Sequence, residues 1–183
     1  MIKGIIFDMD GVVSDTQKLH SKVECELLKR YGIVLSPEEI TKKYSGVKTK
    51  EFFGELLSRQ NKPYDLDNLM EEKWQRMQML AEKSVDPIEG ALELIQVFQS
   101  NGFPMAIASA SNLNYVKTVL TTLMIADFFA AIVSGDMVSK GKPDPESFLL
   151  AADKIGIPPE ECLVFEDGIS GMQAAISANM KCI

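Results

Sequence analysis

Histidine is almost missing from this chain: His20 is the only one in 183 residues. No serine–histidine couple stands out, and no cysteine sits where it would be activated. The three cysteines, Cys25, Cys162 and Cys182, lie far apart with no CxxC spacing. That excludes a zinc framework or disulfide scaffold and reads as small buried hydrophobes in a reducing compartment. Basic residues are outnumbered, 19 Lys and Arg against 26 Asp and Glu, for a net charge of −7. With no Lys/Arg cluster to grip a phosphate backbone, nucleic acid is excluded as a partner. No apolar run approaches the length of a membrane span, and the first residues lack the basic start and cleavage pattern of a signal peptide. A cytoplasmic protein with no membrane partner is the expectation. Repeats and low-complexity tracts are absent too.

What is present is enough apolar material, 46% of residues, to build a proper core. Ile2 to Phe7 is a short, β-branched apolar run bounded by charge, the pattern of a strand covered on both faces. Similar runs are PMAIAS from Pro104, AAIVS from Ala130, CLVFED from Cys162, and the closing MKCI. Amphipathic segments lie between them: EGALELIQVFQSNG with Gly102 as a stop, NLNYVKTVLTTL, DPESFLLAADKIG and DGISGMQAAISAN. The third opens with Asp144 as N-cap and Pro145 at the first helical position, and stops at Gly156. Alternation of this kind predicts right-handed βαβ crossovers, hence an α/β fold with a Rossmann-like parallel sheet and helices on both faces.

From Thr16 to Ser84 the alternation stops. Leu19, Val23, Leu27 and Tyr31 keep helical spacing, SPEE at Ser36 is a capping box, and EFFGELLSRQ and LMEEKWQRMQMLAEK are further helices. Residues 16–84 are therefore expected to form an all-α helical-bundle cap inserted into a catalytic core made of 1–15 and 85–183. A strand that finishes on the last residue carries the expectation that the sequence is shortened at its C-terminus.

Ligands of open parallel sheets bind beyond the carboxyl ends of the strands. Here each such end carries polar chemistry. Asp8 and Asp10 follow the first run, Ser109 ends the second, Lys142 follows the third, and Glu166 and Asp167 end the fourth. Residues two apart on a strand point the same way, so Asp8 and Asp10 can share a crevice. Unit charges 4 Å apart repel by roughly 1 kcal/mol in water and about 4 kcal/mol at an effective dielectric of 20. A hard divalent cation relieves that repulsion, and oxygen ligands suit Mg²⁺. Lys142 and Ser109 are surplus to a metal site and suit a phosphate group. With Asp10 protonated, Mg²⁺ and Lys142 balance the other three carboxylates, and the pocket can admit a phosphate. A carboxylate can itself attack phosphorus, giving an aspartyl-phosphate that water clears.

In this order FDMDGVVSDT, SAS, the lysine of KPDP and FEDGISG resemble the haloacid dehalogenase superfamily of phosphotransferases. The likeness is nearest to its β-phosphoglucomutase-like branch with a helical cap. The resemblance implies Asp8 as nucleophile and Asp10 as general acid/base, with the Asp10 main-chain carbonyl also on Mg²⁺. It implies Ser109, its neighbour Ala110 and Lys142 as the phosphate site, and Asp8, Asp10, Glu166 and Asp167 as the metal shell. Gly11 would let the chain turn sharply beneath the cap. Asp10 argues against dehalogenation, since members with that activity lack the second aspartate. In the cap, GVKTK matches a segment in which mutases carry a phosphate-gripping arginine; here Gly46, Lys48 and Thr49 occupy it. Lys73 matches a cap lysine that reaches the site, and His20 a histidine near the hinge. A polar helix face is the plainer account of His20, Lys48 and Lys73.

The expected activity is a Mg²⁺-dependent phosphatase acting on a small phosphorylated metabolite, a sugar phosphate, as a monomer or weak dimer. A sugar phosphomutase using the same aspartyl-phosphate is the alternative. A phosphate-binding regulatory module without turnover is disfavoured by the complete set of motif residues.

Overall fold

The structure is a computed structural model that describes residues 1–44, 47–60 and 62–183. Five strands, β1 (Gly4–Phe7), β2 (Met105–Ala108), β3 (Ala131–Val133), β4 (Cys162–Phe165) and β5 (Lys181–Cys182), form one sheet in the order β3-β2-β1-β4-β5. All four pairings are parallel. The chain leaves β1, fills the β2–β3 side, then crosses back to β4 and β5. Strand order therefore reverses beside β1, the place where an open sheet forms its crevice.

Side chains of β1 alternate between two cores. Ile5 and Phe7 pack with Ile95 of α5 (Ala91–Ser100) and with Tyr115 and Val116 of α6 (Leu113–Thr122). Ile6 packs on the opposite face with Phe148 and Ala151 of α7 (Glu146–Ile155) and Ala174 of α8 (Ile169–Ser177). All three β1 residues are at most 1% exposed, and burying each contributes roughly 1.5–3 kcal/mol. Coverage on both faces explains why the strand reads as a continuous apolar run.

Helices form where their signals stand. The Ser36 box is reciprocal: Ser36 N donates to Glu39 Oε2 (2.7 Å) and Glu39 N to Ser36 Oγ (3.2 Å). Gly156, in the left-handed region at φ 70°, ends α7 as expected. The start of α7 differs from expectation. Pro145 takes the N-cap position, one residue later, while the Asp144 carboxylate still accepts from Glu146 N (3.1 Å).

Among the described residues, four helices separate β1 from α5: α1 (Gln17–Lys29), α2 (Pro37–Tyr44), α3 (Thr49–Ser58) and α4 (Leu66–Lys83). Val23, Leu27, Phe53, Leu57 and Met77 are buried among them. The segments entering and leaving this helical insert run side by side. Asp15 N donates to Asp86 O (2.8 Å) and Ile88 N to Val13 O (3.1 Å), so the two stretches of backbone that lead into and out of the insert are hydrogen-bonded to each other. Among the described residues, no helix is long and apolar enough to cross a membrane.

Candidate active site

The carboxyl ends of β1, β2 and β4 meet because those strands are neighbours in the sheet. Asp8 follows β1, Ser109 follows β2 and Glu166 follows β4; all three are buried. Lys142, on the loop before α7, reaches in from the side. Its Nζ lies 2.6 Å from both Asp8 Oδ1 and Glu166 Oε2 and 3.2 Å from the Ala108 carbonyl. Burial alone would push this ammonium toward losing its proton, but the Asp8 and Glu166 charges overcome it and hold the proton firmly. Burial, with repulsion from Glu166 and Asp10, moves the Asp8 carboxyl well above the usual carboxylate range despite Lys142. One ammonium shared by two buried carboxylates leaves the site short of positive charge.

Asp10 sits in a different environment. Ser111 Oγ donates to its Oδ2 (2.9 Å), Thr16 donates to Oδ1, and His20 Nε2 lies 3.2 Å from Oδ1. The His20 ring packs edge-on to Tyr115 and Trp74, at centroid distances of 5.1 and 5.9 Å. Burial works against ionisation of Asp10. The His20 charge and the two hydroxyl donors outweigh it and hold the carboxyl at about 2. The charge balance read from the sequence took Asp10 as protonated; the surroundings of the side chain favour its ionised form instead.

Gly11 follows, at φ 98°, a conformation side chains rarely adopt. Its amide donates to Ser14 O (2.8 Å), closing a tight turn. From α1, Gln17 Nε2 donates to the Asp10 carbonyl (3.1 Å) and to Asp167 Oδ2.

Asp8, Glu166 and Asp167 each offer a carboxylate oxygen, all within 4.8 Å of one another. Glu166 is held by Lys142 and by Gly168 N (3.0 Å), whereas Asp167 is exposed. Burial and the Glu166 charge raise Asp167 above its ordinary value. An oxygen-only, charge-deficient set of this kind fits a hard divalent cation. A methyl on Gly171 would overlap the Glu166 carboxyl group, so the first turn of α8 is shaped around that side chain.

A cavity opens between these carboxylates and the helical insert, lined by Asp8, Asp10, Ala110 and Ser111 below and by Glu24, Thr49, Lys73 and Trp74 above. Ser109 and Lys142 lie behind it, and the Ser109 Oγ accepts from Ser111 N (3.1 Å). Lys73 is not on a solvated helix face. It is 1% exposed, with its Nζ 2.7 Å from Glu24 Oε1 and bonded to the Thr49 hydroxyl. The structure does not bring Lys48 to the cavity. From the N-cap of α3 its ammonium crosses to the Val138 carbonyl (2.7 Å), tying the insert to the loop ahead of Lys142. Gly46 lies outside the described residues. Thr16, Gln17, Ser111 and Glu24 belong to the site but were not singled out from sequence. Thr16 and Ser111 stand inside or beside motifs already noted, while Glu24 carries no signal beyond being acidic on a helix.

The family model described as haloacid dehalogenase-like hydrolase matches residues 5–183. The fructose-1-phosphate phosphatase YqaB of Escherichia coli is 32% identical over 182 residues, covering 98% of this chain and 94% of that protein. Among solved structures, β-phosphoglucomutase from Clostridium difficile superposes with a TM-score of 0.88 at 30% identity, over 100% of this chain and 83% of its own. A mutant of CbbY from Rhodobacter sphaeroides in complex with xylulose-(1,5)bisphosphate gives 0.89 at 26% identity, over 100% and 85%.

Proposed function

Since the chain belongs to the haloacid dehalogenase-like hydrolase family, we propose that it is a Mg²⁺-dependent phosphatase hydrolysing a sugar phosphate through a phospho-Asp8 intermediate. One observation carries this reading: Lys142 and the Glu166–Asp167 couple converge on Asp8 from separate loops. A carboxylate that shares one ammonium with Glu166 and stands among metal-type oxygens is equipped to attack a phosphoryl group, and the cluster is too crowded with acids to be ordinary packing.

Asp8, Glu166 and Asp167, with the Asp10 carbonyl, would hold Mg²⁺, which when bound offsets negative charge on the transferring group. The Lys142 ammonium neutralises the same charge from the other side. An Asp8 oxygen bonds to phosphorus as the ester oxygen departs, and the Asp10 carboxyl gives that oxygen a proton. Asp10 then takes a proton from the water that attacks phosphorus, freeing Asp8 and inorganic phosphate. The resting Asp10 is ionised, and a phosphate dianion arriving beside it raises its proton affinity, so that it takes a proton from solvent before the ester bond breaks. Residues 16–84 serve as the cap over the core of 1–15 and 85–183, excluding bulk water during the reaction.

The test is release of inorganic phosphate from a panel of sugar phosphates headed by fructose 1-phosphate, the compound in the E. coli relative's name. Phosphate should appear with Mg²⁺ and stop with EDTA or in Asp8→Asn; a folded protein that releases none from the whole panel would sink the reading. The Clostridium difficile neighbour keeps a phosphomutase in view. Interconversion of glucose phosphates under a bisphosphate primer, faster than phosphate release, would favour it.

A further inference from the structure

Three of the helices that line the cap side of the cavity supply a hydrogen-bonded triad. Glu24 comes from α1, Thr49 opens α3, and Lys73 comes from α4. The Glu24 carboxylate accepts from Lys73 Nζ (2.7 Å) and from Thr49 Oγ1 (3.2 Å), and Lys73 donates to the same hydroxyl. The ammonium also lies 4.1 Å from the centre of the Trp74 ring. All three side chains are at most 7% exposed, and all three line the cavity that Asp8 and Asp10 line. A buried ion pair is a poor device for stability alone, because apolar groups of similar volume do as well. Placed on the wall of a cavity, the triad offers instead an acceptor, a donor and a hydroxyl that can act as either.

Its charge decides what it can hold. Lys73 is the only Lys or Arg among the described residues lining this cavity, and Glu24 already matches it. A second phosphate would bring a charge of about −1.5 to −2 into a wall with no cation to spare. A neutral polyol end meets the wall without that penalty, since each hydroxyl both donates and accepts. The fold accommodates a bisphosphate in the Rhodobacter sphaeroides protein, so discrimination has to come from side chains.

We infer that Glu24, Thr49 and Lys73 form a charge-balanced subsite that reads hydroxyls at the unphosphorylated end of the substrate and selects sugar monophosphates over bisphosphates. The inference rests on the phosphatase reading and narrows its substrate class.

The experiment compares kcat/KM for fructose 1-phosphate with fructose 1,6-bisphosphate, and for glucose 6-phosphate with glucose 1,6-bisphosphate, in wild type and Glu24→Gln. Wild-type protein is first assayed on p-nitrophenyl phosphate, which carries no sugar. Wild type should prefer each monophosphate by at least about tenfold, and Glu24→Gln should cut that preference by about tenfold as Lys73 becomes an unmatched cation. Equal use of both esters by wild type, or an unchanged ratio in folded Glu24→Gln, overturns the inference while leaving the phosphatase intact. No turnover of p-nitrophenyl phosphate or of any sugar ester overturns the phosphatase reading, and this one with it. Should Glu24→Gln fail to fold, Thr49→Val keeps the ion pair and the branching. It should raise KM for the monophosphate about fivefold with kcat little changed, and an unmoved KM overturns the subsite.

Discussion

Lys142 Nζ lies 2.6 Å from Asp8 Oδ1, although 134 residues separate them in the chain. The same ammonium is 2.6 Å from Glu166 Oε2, so one lysine joins the loops after β1, β3 and β4. Both carboxylates are buried with it, which makes this junction structural as well as chemical.

Replacing Lys142 with Met should therefore cost stability and activity together. Breaking a buried pair leaves unmatched charge and costs about 3–5 kcal/mol, a fall in Tm of roughly 6–20 °C for a chain of this size. Phosphate release should drop by roughly 10²- to 10³-fold, the range for loss of one charge-stabilising donor. Calorimetry and steady-state kinetics check both. A variant as stable as wild type would show that the ammonium is not the counter-charge described.

Gly171→Ala tests the floor beneath Glu166. The added methyl overlaps a carboxyl group pinned by Lys142 and Gly168 N, so the carboxylate has to leave its place. The expected outcome is weaker Mg²⁺ binding, read by calorimetric titration, with far-ultraviolet circular dichroism unchanged. Wild-type affinity would mean that Glu166 is not positioned by this close approach.

The Asp10–His20 contact makes a prediction about proton affinity. Asp10 is held at about 2 because His20, Thr16 and Ser111 together outweigh burial. His20→Ala removes the strongest of these lowering influences, so the Asp10 midpoint should rise. Carboxyl-carbon NMR titration of the metal-free protein reads it directly. A midpoint that stays put or falls would remove His20 from this role.

Glu146 predicts a pH-dependent stability. Its carboxylate accepts from Ser139 N (2.8 Å), Ser139 Oγ (2.7 Å) and Lys140 N (2.8 Å), bracing the loop that carries Lys142. The Ser139 and Lys140 donors hold it at about 2, below the ordinary 4.5. A carboxyl depressed by folding contributes stability above its unfolded value, and that contribution disappears as pH falls through the folded one. Glu146→Gln should thus lower Tm at pH 7, and the gap from wild type should close as the solution approaches pH 2. A gap independent of pH would contradict the assignment.

Much of the site was legible because each strand is a short apolar run broken by a polar residue. Asp8, Ser109 and Glu166 all stand at such breaks, and alternation put those ends on one edge of a parallel sheet, while the order of the strands came only with the fold. Lys73 was legible only through the family resemblance. Helical periodicity places it on a polar face, but its partner Glu24 lies 49 positions earlier on another helix, and only packing of α1 on α4 buries the two together. The surroundings of Asp10 were out of reach for a related reason, since no spacing rule says that His20 turns back onto it. Lys48 shows the converse: the stretch was noticed, but side-chain direction at the N-cap of α3 sends the ammonium to Val138. Sequence identifies residues that interrupt a pattern more readily than it identifies partners brought together by tertiary contact.

The most direct measurement is capture of the covalent intermediate. Wild-type protein turning over fructose 1-phosphate with Mg²⁺ is quenched in acid, reduced with borohydride and mapped by mass spectrometry. Reduction converts an aspartyl-phosphate to homoserine, so the peptide carrying residue 8 should show that mass change, and the change should vanish when EDTA is present. Phosphate release with position 8 unmodified, or the mark on a different carboxylate, would contradict the account.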